Sequence, residues 1–128
     1  MVRRGLLIKE YWLKKILSRE KIWEIRGTPT SVREEIALIQ SGSNKIFGTC
    51  ELIDIKGPLT MKELHRNRLK AGIPKNYIVD ILPYKKTYAW IFLKKSIRRL
   101  TTPIRYVHPQ GAVNWVLLTK AVSKKLSS

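Results

Sequence analysis

The sequence predicts an α+β fold, a small closed or half-closed β-barrel of about six strands with two or three flanking helices. Three observations predict it. Helical patterns fall near the start and in the middle of the chain rather than between every pair of strands, which argues against a doubly wound parallel sheet. The strand patterns are short, punctuated by glycine and apolar on both faces, as small barrels require. The chain has 128 residues, 44% of them hydrophobic and 27% charged, which suits one core in one domain.

The elements follow in order. Gly5 to Lys9 reads as a short buried strand. Trp12, Leu13, Ile16 and Leu17 then share one helical face, with Lys14, Lys15 and Arg19 on the others. This helix starts without a good cap. Ile22 to Arg26 is strand-like, with Ile22, Glu24 and Arg26 on one face and Trp23 and Ile25 on the other. Residues 27–31 have loop chemistry. Glu35 to Gln40 holds the apolar run Ile36-Ala37-Leu38-Ile39, which predicts a strand buried on both sides. Ser41 to Asn44 is a turn. Lys45 to Ile55 is a long strand in which Gly48 marks a bulge or a close backbone approach.

Thr60 and Glu63 stand at capping-box spacing, with Leu59 and Leu64 placed for a hydrophobic staple. The helix they open is expected to stop at Gly72, before Pro74. Lys75 to Leu82 suits a short helical turn, broken by Pro83-Tyr84-Lys85-Lys86. Tyr88 to Lys95 alternates as a strand, and Ile97 to Leu100 extends it. Thr102-Pro103 and His108 to Gly111 read as loops, and Val113 to Leu118 as the last strand, with Trp115 facing inward. Residues 1–118 are expected to form the domain, and 119–128 a frayed basic tail.

Charge is the strongest compositional signal. The chain has 26 Lys and Arg against 9 Asp and Glu, a net charge of +17. Residues 81–128 hold 10 of the basic groups and none of the carboxylates. A field of this sign attracts polyanions, and phosphate backbones are the commonest of these. No apolar run approaches the roughly 18–20 residues of a membrane span, and Leu6-Leu7-Ile8 is too short for a signal-peptide core. Cys50 is the only cysteine, so no internal disulfide forms and a cytoplasmic setting is the expectation. One cysteine and two histidines argue against a zinc site. No metal and no cofactor is expected.

Several strings, in this order, resemble an ASCH domain. They are Gly5 to Lys9, the Trp12 helix, Lys21-Ile22-Trp23-Glu24-Ile25-Arg26, residues 36–42, Gly48 to Leu52, Thr87 to Trp90 and His108 to Val113. The family is related to the activating signal cointegrator. The resemblance spans roughly residues 5–118. It implies a PUA-like β-barrel with a helix-flanked cleft, related to RNA-binding PUA and YTH-type modules. It also implies binding of RNA or modified nucleosides, with some relatives acting as amidohydrolases on acylated cytidine and others as ribonucleases. The sequence departs from the pattern twice. Arg19 stands before Glu20-Lys21 where relatives often carry glycine, which costs about 1 kcal/mol if the turn is left-handed. Glu24 stands where the amidohydrolase branch carries the threonine that acts with the lysine matching Lys21, so the hydroxyl nucleophile of that branch is missing.

Candidate site residues follow. Lys9 and Lys21 can hold a phosphate or polarise a carbonyl. Glu24 can accept a hydrogen bond from an exocyclic amine or act as a base. Arg26 can present a planar fork to phosphate or a base edge. Trp12 is the candidate stacking platform. Ser41, beside Gly42, can meet an anion. His108 is a candidate acid/base. Lys94, Lys95, Arg98, Arg99 and Arg105 are the candidate backbone-tracking stripe. Three functions stay open: a nucleic-acid-binding domain taking RNA, single-stranded or with a modified base, in a basic cleft; an enzyme acting there on RNA or modified nucleosides through Lys21, Glu24 and His108; and a general DNA or polyanion binder. RNA is favoured over DNA as partner, with no membrane.

Overall fold

The strand patterns pair into one mixed sheet whose buried apolar residues fall into three clusters. The computed structural model describes residues 1–77 and 85–127. The strands are β1 Arg4–Ile8, β2 Trp23–Arg26, β3 Glu35–Gln40, β4 Lys45–Lys56, β5 Tyr88–Phe92, β6 Arg98–Arg105 and β7 Trp115–Leu117. The helices are α1 Glu10–Leu17, α2 Met61–Arg66, α3 Arg68–Ala71 and α4 Lys120–Leu126. The sheet runs β2-β5-β4-β3-β1-β7, and β6 also pairs with β4. The pairing of β1 with β3 is parallel; β7 returns antiparallel on the other edge of β1.

Residues 36–39 are buried on both faces, as their unbroken apolar run predicts. Ile36 and Leu38 join Leu6, Ile8 and the α1 residues Leu13, Ile16 and Leu17 in one cluster. Ala37 and Ile39 join Leu7, Ile46, Val116 and Leu126 in another. Gly48 lies where β4 shifts register against β3 and β6. A Cβ there would stand 2.6 Å from the Arg98 carbonyl oxygen and 2.6 Å from Leu17, so only glycine lets β6 approach.

Five expectations need correction. The α+β class holds, but the sheet is not a closed barrel: among the described residues no ladder joins β2 to β7. Side chains span that seam instead. Trp90 of β5 stacks on Trp115 of β7, with centroids 5.7 Å apart and planes 16° from parallel. The capped helix breaks at Asn67, whose side chain donates to the Glu63 carbonyl at 2.8 Å, and α3 continues to Gly72 at φ +68°. The strand expected from residue 88 ends at Phe92, and a 3-10 turn over Lys94–Ser96 redirects the chain into β6. Thr102 and Pro103 are strand, not loop, since Pro103 lies where β6 makes no register pair with β4. Residues 120–126 are a helix rather than a frayed tail. Thr119 caps it, Ser123 donates to the Val2 carbonyl, and Leu126 is buried.

On β7, Trp115 faces inward as expected, half-buried against the first cluster and stacked on Trp90, and Val116 is buried in the second, but Val113 and Leu117 are exposed. The expected break at Pro83-Tyr84 and most of the turn expected over 75–82 lie outside the described residues.

Candidate nucleic-acid interface

The seam between β2 and β7 opens into a cleft of about 320 Å³, at the small end of the range for ligand sites, roughly 300–1,000 Å³. Six segments converge there. Lys9 precedes α1, and Trp12 lies on its first turn. Lys21 sits between α1 and β2, Glu24 and Arg26 on β2. Ser41 follows β3, Tyr77 follows α3, and Asn114 precedes β7.

Lys21 arrives through a left-handed turn. Arg19 takes the left-handed position of that turn, at φ +69°. Its guanidinium donates to the Ile97 carbonyl at 2.9 Å. Lys21 is 2% exposed. Its Nζ donates to the carbonyls of Trp23 and Ala71, both at 2.6 Å. It lies 3.5 Å from Glu24 Oε1 and 4.9 Å from the Trp12 ring centroid. Burial pushes the Lys21 amine below the ordinary lysine range, and the neighbouring Glu24 carboxylate works against that push. Gly72 makes room for it, since a Cβ there would stand 2.9 Å from Lys21 Cβ.

Glu24 and Arg26 share the strand face their i, i+2 spacing predicts. Arg26 Nε and Nη2 meet Glu24 Oε2 at 2.9 and 2.8 Å. Nη2 also donates to the Leu7 carbonyl at 2.8 Å, and Nη1 to Asn114 Oδ1 at 3.3 Å. Arg26 is therefore a clasp across the open seam. Four of its five N–H groups are committed, so it offers a ligand one hydrogen and not the expected planar fork. Glu24 keeps acceptor capacity on both oxygens.

The Lys21–Glu24–Arg26 triad carries two cations against one carboxylate. With exposed Lys9 at the rim, the described lining residues include three basic groups and one acid. Trp12 and Tyr77 supply aromatic surface, meeting edge to face at 6.0 Å. The cleft can thus hold an anion at its mouth, a planar ring on its walls and a hydrogen-bond donor at Glu24. Ser41 lines the cleft, and its backbone N–H is spent on the Ile8 carbonyl at 2.9 Å.

Sequence reasoning therefore brought together Lys9, Trp12, Lys21, Glu24, Arg26 and Ser41. It missed Tyr77 and Asn114. Asn114 interrupts an apolar strand pattern, a readable signal. Tyr77 carried none, because only the fold of α3 and its following turn brings it near. Arg68 holds that turn by donating to the carbonyls of Pro74 and Tyr77.

His108 does not line the cleft. It is exposed, and its Nε2 must donate to the Ala112 carbonyl while Nδ1 accepts from the Tyr106 hydroxyl, each at 2.9 Å. Lys94, Lys95, Arg98, Arg99 and Arg105 are exposed but lie on the 3-10 turn and β6, along a separate edge of β4. Arg98 spends one donor on the Leu126 carbonyl at 2.9 Å. No helix among the described residues is long and apolar enough to cross a membrane. No three His, Cys, Asp or Glu among them cluster as a metal site would require.

No family model and no curated protein matches the sequence. Solved structures do match the fold. An ASCH protein from Zymomonas mobilis aligns with a TM-score of 0.73 at 17% identity, covering 97% of this chain and 92% of that one. Two single-residue mutants of the Zymomonas mobilis protein align at TM-scores of 0.71 and 0.67, each at 18% identity. The alignments cover 97% of this chain and 93% and 95% of theirs. This chain has an ASCH-like fold.

Proposed function

With that ASCH-like fold as premise, we propose that the chain binds RNA, single-stranded or carrying a modified base, with one nucleotide in the seam cleft. The observation that carries this reading is the described lining of the cleft: Lys9, Lys21 and Arg26 against the Glu24 carboxylate, walled by Trp12 and Tyr77. A base bearing an exocyclic amine fits best, because Glu24 is held by Arg26 and Lys21 yet retains acceptor lone pairs. Lys9 at the rim suits the phosphate. The basic edge of β6 extends the electrostatic footprint without reading sequence.

The test is equilibrium binding of a labelled single-stranded RNA with wild type and Lys9→Glu. Lys9 is exposed, so the variant keeps its fold. The expected result is a loss of about tenfold or more in affinity for the variant, and a steep loss for wild type as salt rises. Affinity indifferent to both would overturn the reading. Duplex DNA competing as well as RNA would replace it with general polyanion binding.

One observation favours a second, catalytic reading. Lys21 is buried, held below the ordinary lysine range and adjacent to Glu24, as groups in acid/base work often are. Turnover of RNA or of an acylated nucleoside by wild type, lost in Glu24→Gln, is the result that reading requires. His108 has no part in it, since both ring nitrogens are occupied outside the cleft.

A further inference from the structure

A second groove of about 770 Å³ lies on the other side of the Arg26–Asn114 clasp. Arg26 and Asn114 line both cavities, so the partition between them is one side-chain pair thick. The apolar wall of the groove is the half-buried Trp115, backed by buried Trp90 stacked against it. Trp90 is fixed there: it is buried, and its indole N–H donates to the Thr28 carbonyl at 2.9 Å. Arg26 packs against the same ring, with its guanidinium carbon 5.5 Å from the centroid. Lys85 and Lys86 supply the basic side. Both are exposed, and among the described residues no carboxylate lines the groove. Among the described residues neither lysine is held in an ion pair.

A groove with a fixed aromatic wall, cations on one side and no acid among its described lining residues suits an occupant with a planar apolar body and a negative charge. A nucleotide has both. The shared partition makes the two cavities neighbours along a strand. The one N–H of Arg26 left uncommitted sits on the residue that both cavities touch, where a bridging phosphate would pass.

We infer that this groove is a second nucleotide subsite, contiguous with the cleft, so that the ligand is a strand of at least two nucleotides and not a free nucleoside. The inference rests on the proposed function above and specifies its substrate class. The two subsites divide the work. The cleft selects a base through Glu24, and the Trp115 groove holds the neighbouring nucleotide through its wall and through Lys85 and Lys86.

The experiment is displacement of a short labelled single-stranded RNA by ribonucleoside monophosphates and by dinucleotides, for wild type and for Lys85→Ala/Lys86→Ala. Exposed lysines leave the fold intact when truncated, so no loss of structure confuses the result. The dinucleotide is expected to compete about tenfold better than the monophosphate against wild type. The double variant is expected to lose most of that advantage. Equal competition by the two ligands, or a dinucleotide advantage that survives in the double variant, overturns the second subsite and leaves RNA binding in the cleft standing. Failure of the labelled RNA itself to bind wild type removes both.

Discussion

At Lys21 burial and charge oppose each other. Nearly all its surface is withdrawn from water, and two carbonyls and Glu24 compensate. Because burial lowers its folded pKa, the unfolded chain holds this proton more tightly than the folded one. Between the folded pKa and the ordinary lysine value the unfolded state carries more protons, so this group's contribution to stability rises with pH through that window. Its penalty is full below the folded pKa. Lys21→Met removes the titration. The stability difference between wild type and this variant, measured by urea unfolding from neutral to alkaline pH, is expected to move in favour of wild type as pH rises. Arg26 presents the complementary case. Its loss leaves Glu24 buried with a weaker partner, and Arg26→Ala is expected to cost about 3 kcal/mol by denaturant unfolding. Arg26→Lys is expected to recover little, because a lysine cannot meet Glu24, Leu7 and Asn114 together.

Among the elements, α4 shows how a sequence that reads as tail becomes structure. Lys120, Lys124 and Lys125 are exposed, which is what made the segment look solvated. Its apolar residues are few, but Leu126 is 3% exposed and Val122 packs on the same cluster. Leu126→Ala is expected to cost about 2 kcal/mol in the same unfolding assay. A change near zero would mean that the helix contributes nothing to the core. The capping box of α2 formed as its spacing predicts, with Thr60 accepting from the Glu63 N–H and Glu63 accepting from the Thr60 N–H. Such local chemistry needs no distant partner, and for that reason it is readable from sequence. The break at Asn67 and the strand character of Pro103 depend on what packs nearby.

Across the whole molecule, the candidate binding cations fall into two fields, one in the seam and one along β6 and its preceding turn. They are expected to behave differently. Lys94→Ala/Lys95→Ala should reduce the slope of log affinity against log salt by about 1 to 2 while leaving any base preference unchanged. Changes in the cleft should alter which base is preferred. Salt titrations on a panel of single-stranded RNAs measure both. A shift in base preference in the Lys94, Lys95 variant would place the reading site at β6 instead. The open seam links these scales. β2 and β7 are four and three residues long, and a guanidinium and two indoles occupy the gap between the sheet's ends. Closing the barrel would remove the cleft.

The sequence by itself determined the α+β class, the doubly buried strand at 36–39, the glycine at the β4 bulge, the basic excess and the shared strand face of Glu24 and Arg26. Periodicity, turn chemistry and charge act over a few residues, so they can be read without a partner. Only the tertiary structure decided that the sheet stays open, that Tyr77 and Asn114 join the cleft, that His108 and the β6 cations stand apart from it, and that Arg26 spends most of its donors holding the seam. Those outcomes depend on groups far apart in the chain, such as Arg26 with Leu7 and Asn114, and separations of this kind leave no local pattern to read.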